Sequence, residues 1–308
     1  MTGAQDLLDI AYVDVIDVCQ LKCPTCVRGI RLLENSSGKM PLDKFSAVLD
    51  KLKSEGYRRV GLFNWTEPFL NRTLEDYVAE VKSRELICWI STTLSLRHID
   101  NLEDTLLKKP DVILVSMSGM DQQTYEINHV GGDLSYVMQN LREAAAIVRR
   151  HELPTSIVLR FIKFGYNASH EEQARLLAEE LGVYFEVIEG IGNPANSDFR
   201  KYNDRYYLDK MAEAASQTSP EAIGQTCALM FDQIAIDCNG DLYTCCAMPT
   251  HPSLRIGSYL DLGADEILLR RWTHSFCKAC TMPRREATAS DKERLYRAVS
   301  SRLHSQTA

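Results

Sequence analysis

Ten cysteines are spread through the 308 residues, and seven of them fall into two groups whose spacing could ligate iron or zinc. The first group lies in "DVCQLKCPTCVRG" (Asp17–Gly29), where Cys19, Cys23 and Cys26 are spaced CxxxCxxC. Three thiolates are one short of the four that a structural zinc ion takes, and one short of a four-iron cluster held wholly by protein. No His or Cys follows closely enough to complete a zinc site. Three thiolates can hold three irons of a four-iron cluster and leave the fourth with an open position, which is what separates a catalytic metal from a structural one. The second group is complete by itself. Cys227 is followed by twelve residues, Gly240, four residues and Cys245, and "CKAC" then supplies Cys277 and Cys280. Four thiolates saturate a four-iron cluster, and they fit a zinc ribbon as well.

The elements that must position these groups can be read from composition and periodicity. A chain of 308 residues with 45% apolar and 25% charged residues is ordinary for one large or two modest globular domains. The net charge of -7 carries no nucleic-acid footprint, and a mildly acidic surface would suit a cationic substrate. No apolar run is long enough for a membrane span, and "MTGAQDLLDI" lacks the regions of a signal peptide, so a cytoplasmic protein is expected. In a reducing compartment, cysteines serve as metal ligands or catalytic groups more often than as disulfides.

From about residue 10 to 188, short apolar runs alternate with amphipathic stretches. Strands are expected at Ile10–Asp17, Arg58–Phe63, Leu86–Ser91, Asp111–Ser116, Ser156–Ile162 and Val183–Ile188. Helices are expected at Leu42–Gly56 and His170–Gly182, each closed by its glycine. Six βα units argue for an α/β fold with a parallel sheet and outer helices, an open partial (β/α)6 barrel occupying residues 1–190. A polar linker covers 191–225, and residues 226–308 form a small C-terminal unit. That unit contains a hairpin turning at Asn239–Asp241 and a terminal helix. Loops after barrel strands collect at the C-terminal mouth, where active sites sit. The first cysteine group directly follows the first strand.

CxxxCxxC in that place resembles the radical S-adenosylmethionine (SAM) superfamily. The resemblance implies that the open iron binds the amino and carboxylate groups of SAM, and that an electron from the cluster cleaves the sulfonium to a 5′-deoxyadenosyl radical. "NWTEPFLN" (Asn64–Asn71) follows the second strand and resembles the family's GGEP segment, whose main-chain carbonyls hold the SAM amino group. Asn64, Trp65 and Thr66 replace the glycines, while Glu67 and Pro68 are retained. By the same likeness Ser116 and Ser118 lie against SAM, and Arg160 faces cofactor or substrate. Thr25 stands where the family usually has an aromatic residue before the third cysteine. The second cysteine group resembles the twitch form of the SPASM extension, implying a second [4Fe-4S] cluster on Cys227, Cys245, Cys277 and Cys280.

Taken together, the likeness implies SAM, two clusters and a low-potential electron donor of the flavodoxin or ferredoxin type. The substrate is expected to be a small polar, sugar- or aminocyclitol-like molecule oxidised to a ketone. An epimerase with Cys246 as hydrogen donor, a peptide-modifying enzyme and a two-cluster redox carrier are the alternatives. Peptide-modifying members usually carry an added N-terminal leader-binding domain; only about nine residues precede the first strand, which argues against that alternative, though a separate leader-binding protein could supply the function. Plainer roles stand beside these. Glu67 could cap a helix, Arg160 could pair with an acidic neighbour, and Cys88 reads as a small buried hydrophobe. Strand alternation would put Cys245 and Cys246 on opposite faces. Cys238 is a weaker donor candidate, and His129 and His170 have ordinary solvated readings.

Overall fold

The computed structural model describes residues 10–29, 34–190, 227–248, 250–279 and 288–305. Six strands, β1 (Ile10–Val13), β2 (Arg59–Gly61), β3 (Ile87–Thr92), β4 (Val112–Met117), β5 (Ser156–Lys163) and β6 (Tyr184–Glu189), pair in parallel in chain order. Between them lie helices α1 (Leu42–Ser54), α2 (Leu74–Ser83), α3 (Leu102–Leu107), α4 (Gln122–Asn128), α5 (Leu134–Arg150) and α6 (Glu171–Leu181). Alternation along each strand explains the layering. Ala11, Val13, Val60, Ile90, Ile113, Val115, Leu159 and Phe161 share one buried cluster with Phe45, Leu49, Tyr77, Val137, Leu141 and Leu177 of the helices. The other set, including Tyr12, Trp89, Ser116, Arg160 and Glu186, is half-buried and faces inward, away from the helices.

Helix ends follow local chemistry. Gly182 adopts φ 68° and closes α6 in the left-handed conformation, while Gly56, at φ 91°, lies one residue beyond the Glu55 C-cap of α1. Asp121 caps α4 by accepting from the Thr124 N–H at 2.7 Å, and Asp133 caps α5 through the Ser135 N–H at 2.8 Å.

The C-terminal hairpin is built onto the barrel. β7 (Gln233–Ile236) pairs parallel with β1, from Ile10↔Gln233 to Val13↔Ile236, and β8 (Asp241–Tyr243) and β9 (Arg255–Ser258) continue antiparallel. One nine-stranded sheet results, in the order β6-β5-β4-β3-β2-β1-β7-β8-β9. The hairpin turn starts earlier than Asn239, because the Asp237 carboxylate accepts from the N–H groups of Asn239 and Asp241 at 2.9 Å each. A second small core joins Met230, Phe231, Leu268, Leu269, Leu295 and Ala298, drawn from the helices Leu229–Asp232, Ala264–Thr273 and Ala289–Ser305. The expected linker 191–225 lies outside the described residues. Among the described residues no helix is long and apolar enough to cross a membrane.

Candidate functional site

Beyond β1 the chain enters the cysteine loop, and its shape is held mostly by main-chain bonds. The Cys26 N–H donates to the Cys23 carbonyl at 3.0 Å, and the Lys22 N–H to Val130 at 2.9 Å. Asn35 brackets Cys19, accepting from its N–H at 3.1 Å and donating to its carbonyl at 2.8 Å. A Cβ on Gly29 would run into the Cys23 main chain, so only glycine fits there. Thr25 donates to the Asn128 side-chain oxygen at 2.7 Å, tying the loop to α4. The three thiols feel one another. Burial pushes Cys19 up to about 12, with the charges of Glu67 and Cys26 adding to it; burial, then Cys26 and Cys19, raises Cys23. Burial also raises Cys26, against the N–H groups of Arg28 and Gly29 that point at its sulfur. A cavity of about 280 Å³ opens beside Cys19, lined also by Gln20, Arg28 and Asn35.

The loop after β2 is fastened to this one from three sides. Asp14, 3% exposed at the end of β1, accepts from the N–H of Asn64 at 2.8 Å, the N–H of Trp65 at 3.2 Å and the hydroxyl of Thr66 at 2.6 Å. Burial lifts its pKa to about 6 in spite of these donors. The buried Arg28 guanidinium donates to the Trp65 carbonyl at 2.7 Å and to the Glu34 carbonyl at 3.0 Å, and pairs with Asp17. The Glu67 N–H donates to Val18 at 3.1 Å. The Glu67 carboxylate is buried and accepts from the Thr92 hydroxyl and from the N–H and hydroxyl of Thr93 at the end of β3, and its remaining contact, from the Phe69 N–H, caps the short helix Pro68–Leu70. On its far side the loop meets the C-terminal segment. The Trp65 indole donates to the Met248 carbonyl at 3.1 Å, and the Asn64 amide, oriented by its neighbours, donates to the Cys246 carbonyl at 3.1 Å.

The inner face carries polar groups in register. Ser116, Arg160 and Glu186 lie side by side on β4, β5 and β6. Arg160 donates from Nε to Glu186 at 2.7 Å, the acidic pairing its plainer reading allowed. Tyr12 packs edge-on against Phe63 at 5.4 Å; burial raises its phenol, Cys246 adds to the rise, and Arg160 opposes it. The Cys246 thiol lies 2.9 Å from Gln233 Oε1. Ser118 is fully buried, with its hydroxyl 2.7 Å from His129 Nδ1 and 3.3 Å from the Tyr125 carbonyl. His129 is therefore not solvated: burial drives its pKa down to about 4.

Solved structures share this architecture. Streptococcus suis SuiB bound to S-adenosylmethionine aligns over 89% of this chain and 72% of its own, with TM-score 0.62 and 13% identity. SuiB bound to the precursor peptide SuiA aligns over 82% of this chain and 64% of its own, with TM-score 0.59 and 13% identity. No protein-family model matches the chain, and no curated protein matches it in sequence. This chain shares the fold of SuiB, a protein solved with S-adenosylmethionine bound.

Within this fold the second cysteine group is split by position. Cys227, Cys245 and Cys277 are half-buried, Cys277 packs against the smaller core, and Cys280 lies outside the described residues. β8 ends at Tyr243, so strand alternation does not separate Cys245 from Cys246. The Cys246 neighbour holds the Cys245 thiol below its ordinary range, and Cys246 itself is raised; the Ala247 N–H, 3.4 Å away, and Arg271 also pull Cys245 down. Arg271 is 2% exposed and gives its hydrogens to the carbonyls of Leu229, Met230, Gln233 and Thr244 at 2.7–2.9 Å. Among the described residues no carboxylate pairs with it. A buried cation held only by neutral groups is costly, and it fits beside a thiolate-ligated, negatively charged metal centre. The donor sets thus suit the groups the motifs imply: three crowded thiols with inward N–H donors, and Cys245 beside a buried positive charge. Among the described residues no three His, Cys, Asp or Glu are already set for a single metal ion.

Sequence reasoning missed Asp14, Arg28, Tyr12, Glu186 and Arg271. Asp14 carried a usable sign, a carboxylate inside the apolar run "IAYVDVID", which is the same argument that singled out Arg160.

Proposed function

We propose that the chain is a radical SAM enzyme acting on a small polar substrate held over the inner face of the barrel. What carries this reading is one juxtaposition: the loop of Cys19, Cys23 and Cys26 is fastened through Arg28 and Val18 to the Asn64–Glu67 loop, which in turn rests on the Cys246–Met248 segment. Cys19, Cys23 and Cys26 would hold a cluster with one open iron, and the 64–66 main chain with Ser116 would border the cofactor. Bound there, SAM and a reduced cluster supply a 5′-deoxyadenosyl radical. Cys227, Cys245, Cys277 and Cys280 would hold a second cluster, and a flavodoxin- or ferredoxin-type protein would deliver electrons. Arg160, Glu186 and Ser116 present a guanidinium, a carboxylate and a hydroxyl, a set that suits the hydroxyl and amino groups of a sugar or aminocyclitol.

Oxidation to a ketone and inversion of a carbon centre both begin with the same hydrogen abstraction. The placement of Cys246 favours inversion. Burial and its Cys245 neighbour keep its thiol protonated, and its Gln233 and Tyr12 neighbours are on the inner face. Its hydrogen atom would pass to the substrate radical, and the resulting thiyl would regain one electron from the second cluster and one proton.

Anaerobically reconstituted protein given SAM and dithionite should release 5′-deoxyadenosine, and Cys23→Ala should release none. A protein that makes none while holding both clusters is a redox carrier. In deuterated water with an aminocyclitol substrate, inversion places one solvent deuterium at the inverted carbon, and Cys246→Ala blocks turnover but not abstraction. A ketone product, unaffected by Cys246→Ala, establishes oxidation instead.

A further inference from the structure

The Asn64–Thr66 segment has no glycine to let its peptides turn freely, yet its carbonyls must face a cofactor if the radical SAM reading holds. No peptide bond in the described chain is cis. In a planar trans peptide the C=O points opposite to the N–H of the next residue. The Trp65 N–H is fixed on Asp14, so the Asn64 carbonyl must point away from Asp14. The Glu67 N–H is fixed on the Val18 carbonyl, so the Thr66 carbonyl must point away from Val18. The intervening Trp65 carbonyl is occupied by Arg28 Nε at 2.7 Å. Among the described residues the carbonyls of Asn64 and Thr66 accept no hydrogen bond, and they are the acceptors left over once the loop is tied down. Asp14 makes three of the ties, to both amides and to the Thr66 hydroxyl.

We propose that Asp14 is a positioning residue for cofactor binding: it orients the Asn64–Trp65 peptide and holds the Thr66 side chain, so that the free Asn64 carbonyl, beside that of Thr66, can accept from a ligand ammonium group. The inference rests on the radical SAM reading, and it assigns to a β1 carboxylate the task that glycines would otherwise leave to backbone freedom. Asp14→Ala is the sharp test. Asp14 Oδ1 takes all three ties and Oδ2 shares the Trp65 N–H, so alanine removes them together and leaves two N–H donors without their acceptor.

Two measurements are made on reconstituted protein. One is the dissociation constant of SAM, from the change it causes in the reduced-cluster EPR signal. The other, taken without SAM, is hydrogen exchange of the peptide containing Asn64 and Trp65. Asp14→Ala should keep its iron, exchange those amides faster and bind SAM at least tenfold more weakly. Thr66→Val, which removes one tie, should weaken binding by a few-fold, and it decides the matter if Asp14→Ala does not fold. Unchanged SAM affinity in a folded Asp14→Ala, or in Thr66→Val where it must stand in, overturns the proposal while leaving the radical SAM reading intact. A wild-type cluster whose signal ignores SAM removes both.

Discussion

His129 is 2% exposed, stacked on Tyr125 at 4.6 Å and 2.7 Å from the Ser118 hydroxyl. With nothing but burial acting on it, its folded pKa falls to about 4 from an ordinary 6.5. The unfolded chain then binds the proton that the folded chain refuses. Stability is full above about pH 6.5 and drains as pH falls toward 4, by up to about 3 kcal/mol for this one side chain. Asp14 and Glu67 act in the opposite sense. Their folded pKa values are raised by burial, so the folded chain is the better proton binder and gains as the medium is acidified. The whole-protein pH curve mixes these contributions, but a variant difference isolates one. His129→Gln should lose stability at pH 7.5, where its hydrogen bond to Ser118 is disturbed, and lose progressively less relative to wild type between pH 6.5 and 4.5. Urea midpoints at matched pH values measure this; a constant offset across the range shows that His129 stays neutral in both states. The sequence offered no hint of the effect. A histidine in "EINHVGG" reads as solvated until the packing of α4 against β4 is known.

The cysteine loop is an element whose shape depends on glycine at one place. A methyl on Gly29 would collide with the Cys23 main chain, and that main chain also carries the Cys26 N–H bond that closes the turn. Gly29→Ala should therefore displace Cys23 from its two partner thiols without touching the sheet. The expected outcome is a folded protein by circular dichroism with about four irons per chain in place of about eight, and no SAM-responsive signal. Full iron content with an unchanged spectrum shows that the loop can absorb the methyl. At this scale much was legible beforehand. Each of the six barrel strands falls within a few residues of its expected place, because strands covered on both faces write continuous apolar runs. Gly182 ends α6 where a left-handed residue is required. Illegible were the features made by distant segments. The Asp237 side chain moves the hairpin turn upstream, and the strand end at Tyr243 brings the Cys245 and Cys246 thiols together. Asp14 was visible as an anomaly, but its partners on the 64–66 loop were not.

Over the whole molecule, the division expected between residues 1–190 and 226–308 meets a continuous sheet. β1 is flanked by β2 on one side and by β7 on the other, and the Asp14 N–H donates to Ile236 at 2.9 Å, just past the β1–β7 ladder. Seven residues of the C-terminal segment, Ile234, Ile236, Leu242, Ile256, Tyr259, Leu262 and Ile267, belong to the main core rather than to a core of their own. Side chains buried to this degree contribute about 1.5–3 kcal/mol each. Their contacts with the barrel therefore amount to on the order of 10 kcal/mol, as much as a typical domain's whole stability. Removing them would also leave the N–H and C=O groups of Ile10–Val13 that face β7 unpaired along an apolar edge, a template for aggregation. Asp14 would lose the neighbour that helps to bury it, and with it the fixed geometry on which the 64–66 loop depends. A chain ended at Gly190 should accordingly express as aggregate, or as a species that binds a hydrophobic dye and melts without a cooperative transition. Its cysteine loop should fail to retain a SAM-responsive cluster even though all three cysteines are present. If the shortened chain melts cooperatively near the full-length temperature, β1 tolerates an open edge, and the C-terminal segment is an attachment to the barrel and not one of its walls.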